Sequence, residues 1–171
     1  MKPSIPASIE YVHLQWEGPK TWKEKAQLKS RIDFGLYQIY GCHPVHGADC
    51  LLYVGKARDQ YFAVRLNQEV SWMADADFGR LSIYVGRCSG WEGTPTNAAW
   101  NRQIDLAEKL LIVAHRPPEN AQKSIDWKSQ DLARLHIFNW GCYRNLLPEV
   151  SGLRYTNVFD DETDYKPFAD E

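Results

Sequence analysis

The chain has 171 residues, 44% of them hydrophobic and 13% aromatic, enough for one domain with one well-filled core. A formal charge of −2 argues against a strongly basic, sequence-blind nucleic-acid binder, and no apolar run approaches the roughly 20 residues of a bilayer-spanning helix. The acids are unevenly placed: residues 160–171 form an acidic run with a single lysine, read as a solvated, disordered tail, and the remainder is net basic.

The N-terminus lacks the apolar core of a secretion signal, so a cytoplasmic, reducing setting is expected. The four cysteines are then not expected to form a disulfide framework.

Residues 8–16 alternate as a strand, and Glu17-Gly18-Pro19 is expected to break it. Residues 21–32 are charged and read as a short helix or a loop. Residues 34–40 and 51–54 read as two strands, joined by a long Gly-, Pro-, His- and Asp-rich connection at 41–50. Asp59 is the expected N-cap of a helix whose apolar face is Phe62, Leu66, Val70 and Met73. Residues 81–87 form a further strand and 91–95 a turn-rich loop. Thr96 or Asn97 then caps a second helix with the core stripe Trp100, Ile104, Ala107, Leu111 and Ala114, ended near Pro117 and Pro118. The order strand, strand, helix, strand, helix predicts an α+β fold on a small central antiparallel sheet flanked by helices. Residues 121–159 read as a C-terminal appendage of a single-domain chain, with strand-like pieces at 135–140 and 153–159.

Several residues in this frame suit phosphodiester chemistry, which needs a deprotonated water, an offset for charge on the phosphoryl oxygens and a stabilised leaving oxygen. Gly35-Leu36-Tyr37 and Tyr53-Val54-Gly55-Lys56-Ala57 each place a tyrosine beside a glycine on a strand. Arg65 lies in the next helix. Glu108 borders the apolar stripe of the second helix and suits one hard divalent cation. Asn120 follows the double proline. Blander readings stand beside these: core aromatics for Tyr37 and Tyr53, solvated charges for Lys56 and Arg65, a surface carboxylate paired with Arg102 or Lys109 for Glu108, and a turn residue for Asn120. Cys42, His43, His46 and Cys50 have the residue types for Zn²⁺ but no standard ligand spacing, and a disulfide across the hairpin or a plain loop are the other readings. Tryptophans such as Trp16, Trp22, Trp91, Trp127 and Trp140 suit either packing or stacking on bases.

The ordered set Tyr37, Tyr53, Arg65, Glu108 and Asn120 resembles the GIY-YIG nuclease superfamily, over roughly residues 34–120. The segment Tyr53-Val54-Gly55-Lys56-Ala57 is most similar to the N-terminal incision domain of the bacterial excision-repair nuclease. The resemblance implies a β-β-α-β-α core and a DNA endonuclease with one Mg²⁺ or Mn²⁺ held by Glu108. It further implies a tyrosine assisting water attack, with Lys56 and Arg65 offsetting phosphoryl charge. It leaves open which tyrosine is the base, and leaves open a homodimer, since one site cuts one strand. The alternative is a catalytically inactive nucleic-acid-binding or protein-interaction module on the same fold. The chain departs from the pattern in three places. The tyrosines are sixteen apart, where the family more often has about ten. Arg65 follows Tyr53 by twelve, making Arg58 a rival phosphate contact, and Glu69 stands where many members carry a histidine.

Overall fold

Val12, Leu14 and Trp16 point inward from the first strand, β1 (Glu10–Thr21), while Tyr11 and Gln15 point out. The computed structural model describes residues 8–69, 80–89, 96–120 and 129–156. β1 is longer than its alternation suggests. Glu17-Gly18-Pro19 does not end it but produces a register shift against the neighbouring strand, where a proline without an N–H is tolerated. Residues 24–27 then make one 3-10 turn.

The hairpin is β2 (Gly35–His43) and β3 (Gly47–Ala57). The long connection expected at 41–50 is mostly strand. The chain reverses within a few residues, because Gly47 adopts φ 86° and His43 Nδ1 accepts the backbone N–H groups of Val45 and His46, both at 3.2 Å.

Helix α1 (Phe62–Gln68) starts at Tyr61 and not at Asp59. Its first donors are met by tertiary backbone contacts, Phe62 N–H to Asp33 O at 2.9 Å and Ala63 N–H to Leu28 O at 3.1 Å, so no side-chain cap is needed. Asp59 instead sits at φ 61° and accepts from Asn101 Nδ2 at 2.7 Å. The expected apolar positions Val70 and Met73, and the loop at 91–95, lie outside the described residues.

β4 (Ser82–Ser89) precedes α2 (Asn97–His115). Thr96 Oγ1 accepts from Ala99 N–H at 3.3 Å and caps α2, and Arg116 at φ 46° ends it before the prolines.

One-turn helix α3 (Gln130–Ala133) leads into β5 (Leu135–Gly141), β6 (Glu149–Ser151) and one-turn helix α4 (Gly152–Tyr155). The strand-like reading of 153–159 is therefore replaced by α4 where the chain is described. Gly152 allows it, since a Cβ there would fall 1.7 Å from Leu132 O. The acidic run at 160–171 lies outside the described residues.

The sheet is larger than the small antiparallel one expected. It has six strands in the order β3-β2-β4-β1-β5-β6, antiparallel throughout except for the parallel pair β1–β5. The segment read as an appendage thus supplies two of its strands. The architecture is mixed α and β, with α2 packed on one face and α1 on the other. On the α2 side, Leu14, Trp16, Leu36, Val54, Ile104 and Leu111 form one core. On the α1 side, Tyr37, Ile39, Tyr53, Phe62, Leu66 and Val85 form a second. Each fully buried Leu, Ile or Phe stabilises its layer by about 1.5–3 kcal/mol. No helix among the described residues is long and apolar enough to cross a membrane.

Candidate active site

The β2–β3 register pairs Tyr37 with Gly55 and Ile39 with Tyr53. Positions two apart on a strand share a face, so the two tyrosines become diagonal neighbours, with ring centroids 6.1 Å apart and planes tilted by 33°. Gly55 makes room for them: a Cβ there would lie 2.4 Å from Tyr37 Cζ and Oη and 2.6 Å from Tyr53 Cε1. Gly35 serves the same strand differently, at φ 137° and with its absent Cβ replaced by Gly86 O only 2.2 Å away. The unusual spacing of the tyrosines is absorbed by longer strands beyond them, and they stay in register.

Both phenols converge on a residue that sequence reading treats only as a departure. Glu69 follows the last turn of α1 and is buried. Its Oε1 accepts from Tyr37 Oη at 2.6 Å, lies 3.5 Å from Tyr53 Oη, and is 2.6 Å from Arg65 Nη2. The signal for it was available, since Glu69 is four residues after Arg65, the spacing at which helical side chains meet. Arg65 also donates from Nε to Lys56 O at 3.2 Å and from Nη1 to Gln68 Oε1 at 3.0 Å. Burial works against the Arg65 charge, but Tyr37 and Glu69 beside it outweigh that and hold it more firmly protonated than usual. Burial, then Glu69, pushes the Tyr37 hydroxyl well above the ordinary phenol range, so Tyr37 is held as a neutral donor.

Lys56 projects to the opposite face of β3, toward α2. Its Nζ is 2.8 Å from Asp105 Oδ1 and 2.9 Å from Glu108 Oε2. Burial opposes the ammonium charge, yet the hydrogen bonds to Asp105 and Glu108 raise its pKa above that of an ordinary lysine. Glu108 is buried, 5% exposed, and not the surface carboxylate of the blander reading. Arg102 pairs instead with Glu10 and Asp131. Asp105 is a second carboxylate that sequence reading passed over, one helical turn before Glu108. Arg58, the rival phosphate contact, pairs with Asp105 and with Asp59. The tyrosine group and the Lys56–Glu108 group are therefore on two faces of the edge strand β3, joined through the backbone of Lys56.

Asn120 sits in a 3-10 turn and is buried. Its amide bonds both backbone groups of Val54, accepting from N–H at 2.8 Å and donating to C=O at 2.9 Å. It holds the edge strand in place.

The remaining candidates separate cleanly. Cys42, Cys50, Cys88 and Cys142 are free thiols, so the hairpin disulfide does not form. Among the described residues no group of three or more His, Cys, Asp or Glu side chains gathers at metal-holding distance. Trp16 is core, donating from Nε1 to Asn139 Oδ1 at 2.8 Å. Trp140 is 45% exposed and lies parallel to Phe138 and His13 on the outer face of β1 and β5. Trp91 and Trp127 lie outside the described residues. Comparison of the chain with protein-family models, with curated proteins and with solved structures returns no match.

Proposed function

We propose that this chain is a metal-dependent endonuclease of the GIY-YIG type that hydrolyses DNA phosphodiester bonds. The observation that carries the reading is the convergence of Tyr37, Tyr53 and Arg65 on one side of β3 with Lys56 and Glu108 on the other. Gly55 is cleared for the rings, and Asn120 anchors the strand between them.

The donor chemistry suits a hard divalent cation. Glu108 and Asp105 present carboxylates one helical turn apart, and a positive charge, the Lys56 ammonium, already rests between them. Glu108 would hold Mg²⁺ or Mn²⁺ with Asp105 beside it; the ion would supply a Lewis acid for the leaving oxygen. The protein residues do the rest. A tyrosine hydroxyl positions the attacking water, and Arg65 and Lys56 offset the charge that develops on the phosphoryl oxygens. DNA is the expected partner, one strand being cut per site.

Nicking of supercoiled plasmid in Mg²⁺ or Mn²⁺ tests the reading. Wild type should nick, while Glu108→Ala and wild type in a chelator should not. Equal activity of wild type and Glu108→Ala would defeat it. The engagement of Lys56, Arg58 and Arg65 by carboxylates favours one second reading, a DNA-binding module without cleavage. It would retain DNA in a salt-dependent manner and cut none.

A further inference from the structure

The strongest unassigned feature is the buried carboxylate behind the tyrosines. A lone Arg65–Glu69 pair would account for a structural ion pair. Here the same oxygen of Glu69 also faces two phenols, one from β2 and one from β3, at 2.6 and 3.5 Å. Among the described residues, the titratable groups facing it include these two phenols and Arg65 on its own helix. A carboxylate so buried is costly unless it is bonded, and its donors leave it as the natural end point for a proton arriving from either hydroxyl. Tyr37 has no exposed surface, whereas Tyr53, on the edge strand, retains a little. Of the two phenols, Tyr53 is therefore the less enclosed.

We propose that Glu69 is the proton acceptor of the site, acting through the Tyr53 hydroxyl, with Tyr37 and Arg65 fixing its carboxylate in place. This rests on the endonuclease reading above. The water oxygen bonds to phosphorus while its proton passes to Tyr53 Oη, and the proton of Tyr53 passes to Glu69 Oε1. The bond from phosphorus to the leaving oxygen breaks, and that oxygen takes a proton from solvent. No phenolate forms, in keeping with the neutral Tyr37 hydroxyl beside it. Glu69 touches neither water nor phosphate and takes its proton only through Tyr53.

The test is the pH dependence of plasmid nicking at saturating Mn²⁺ for wild type, Glu69→Gln and Glu69→His, with thermal midpoints and DNA affinity measured alongside. Glu69→Gln should nick about a hundredfold more slowly, the range of a lost proton acceptor. Glu69→His should recover at least part of that loss, with the acidic limb of its profile moved to higher pH, as an imidazole acceptor requires. Glu69→Gln within about threefold of wild type would overturn the proposal, being far short of the roughly hundredfold low end of acid–base effects. So would equal losses in both variants with the limb unmoved, whether or not stability falls, because a purely structural role predicts that result. Absence of any Glu108-dependent nicking by wild type would overturn the endonuclease reading and this proposal together. Nicking by wild type with an indifferent Glu69 would overturn this proposal alone.

Discussion

The Asn120 side chain closes both backbone hydrogen-bonding groups of Val54, taking its N–H at 2.8 Å and serving its C=O at 2.9 Å. Val54 lies between Tyr53 and Gly55 on β3, a strand whose outer edge has no strand partner among the described residues. One amide thus does for the site strand what a neighbouring strand would do.

Asn120→Ala should destabilise the protein by about 2–6 kcal/mol, since it strands two buried backbone groups at about 1–3 kcal/mol each. Asn120→Asp keeps the acceptor but turns a buried carboxylate oxygen toward Val54 O in place of the donor, so its loss at neutral pH should be at least as large as that of Asn120→Ala. Urea unfolding measures both. A loss below about 0.5 kcal/mol for the alanine variant, the scale of a neutral surface change, would contradict the clamp.

Gly55→Ala places a methyl group where Tyr37 Cζ and Oη stand 2.4 Å away. The rings must move or the strand must bulge, at a cost of about 1–3 kcal/mol for overpacking. Near-ultraviolet circular dichroism should change, and nicking should fall more than DNA affinity does. A variant with wild-type spectra and activity would show that the rings have slack.

Arg65→Lys keeps the charge and loses the fork that reaches Lys56 O, Gln68 and Glu69 together. Nicking should drop by about ten- to a hundredfold, short of the loss from removing a full transition-state donor. Full activity with lysine would reduce Arg65 to a point charge.

His115 Nδ1 bonds Leu111 O and its Nε2 accepts the Leu147 N–H, each at 2.9 Å, which fixes the neutral Nδ1–H tautomer. Burial lowers its pKa below the ordinary 6.5. Folding therefore weakens proton binding at this site, and the stabilisation it brings is present above pH 6.5 and lost as pH falls through the folded value. The thermal midpoint should drop between pH 7 and 5, and His115→Gln should flatten that slope. Parallel pH curves for the two proteins would show that the imidazole is not the source.

The strands and helices of 34–120 are legible in the chain because each has a clear period: alternation for Gly35-Leu36-Tyr37 and a three-four stripe for Ile104, Ala107 and Leu111. The extra strands are harder to read. Residues 47–49 are exposed and carry no large apolar side chain, and they are strand only because they extend a hairpin whose register Tyr53 and Ile39 already set. The Asp59 cap fails for a similar reason, because Asp33 O and Leu28 O come from distant sequence to meet the helix donors. At the candidate site, Tyr37, Tyr53 and Arg65 are visible as a pattern of types, and so are Lys56 and Glu108. Asp105 is not, since a helix carboxylate looks solvated until a partner strand is folded over it, and Glu69 shows only as a helical neighbour of Arg65, its contacts with the two phenols depending on the β2–β3 register.

The parallel pairing of β1 with β5 sets the order in which this chain can be completed. The β2–β3 hairpin closes over a short loop and can form early, whereas β1 keeps one open edge until residues 135–141 have been made and returned to it. During synthesis the site hairpin therefore precedes the frame that holds it, and the nascent chain carries an exposed, aromatic-rich strand edge for most of its translation. Chaperone dependence, and slow refolding limited by docking of β5, are the expected kinetic marks of that topology.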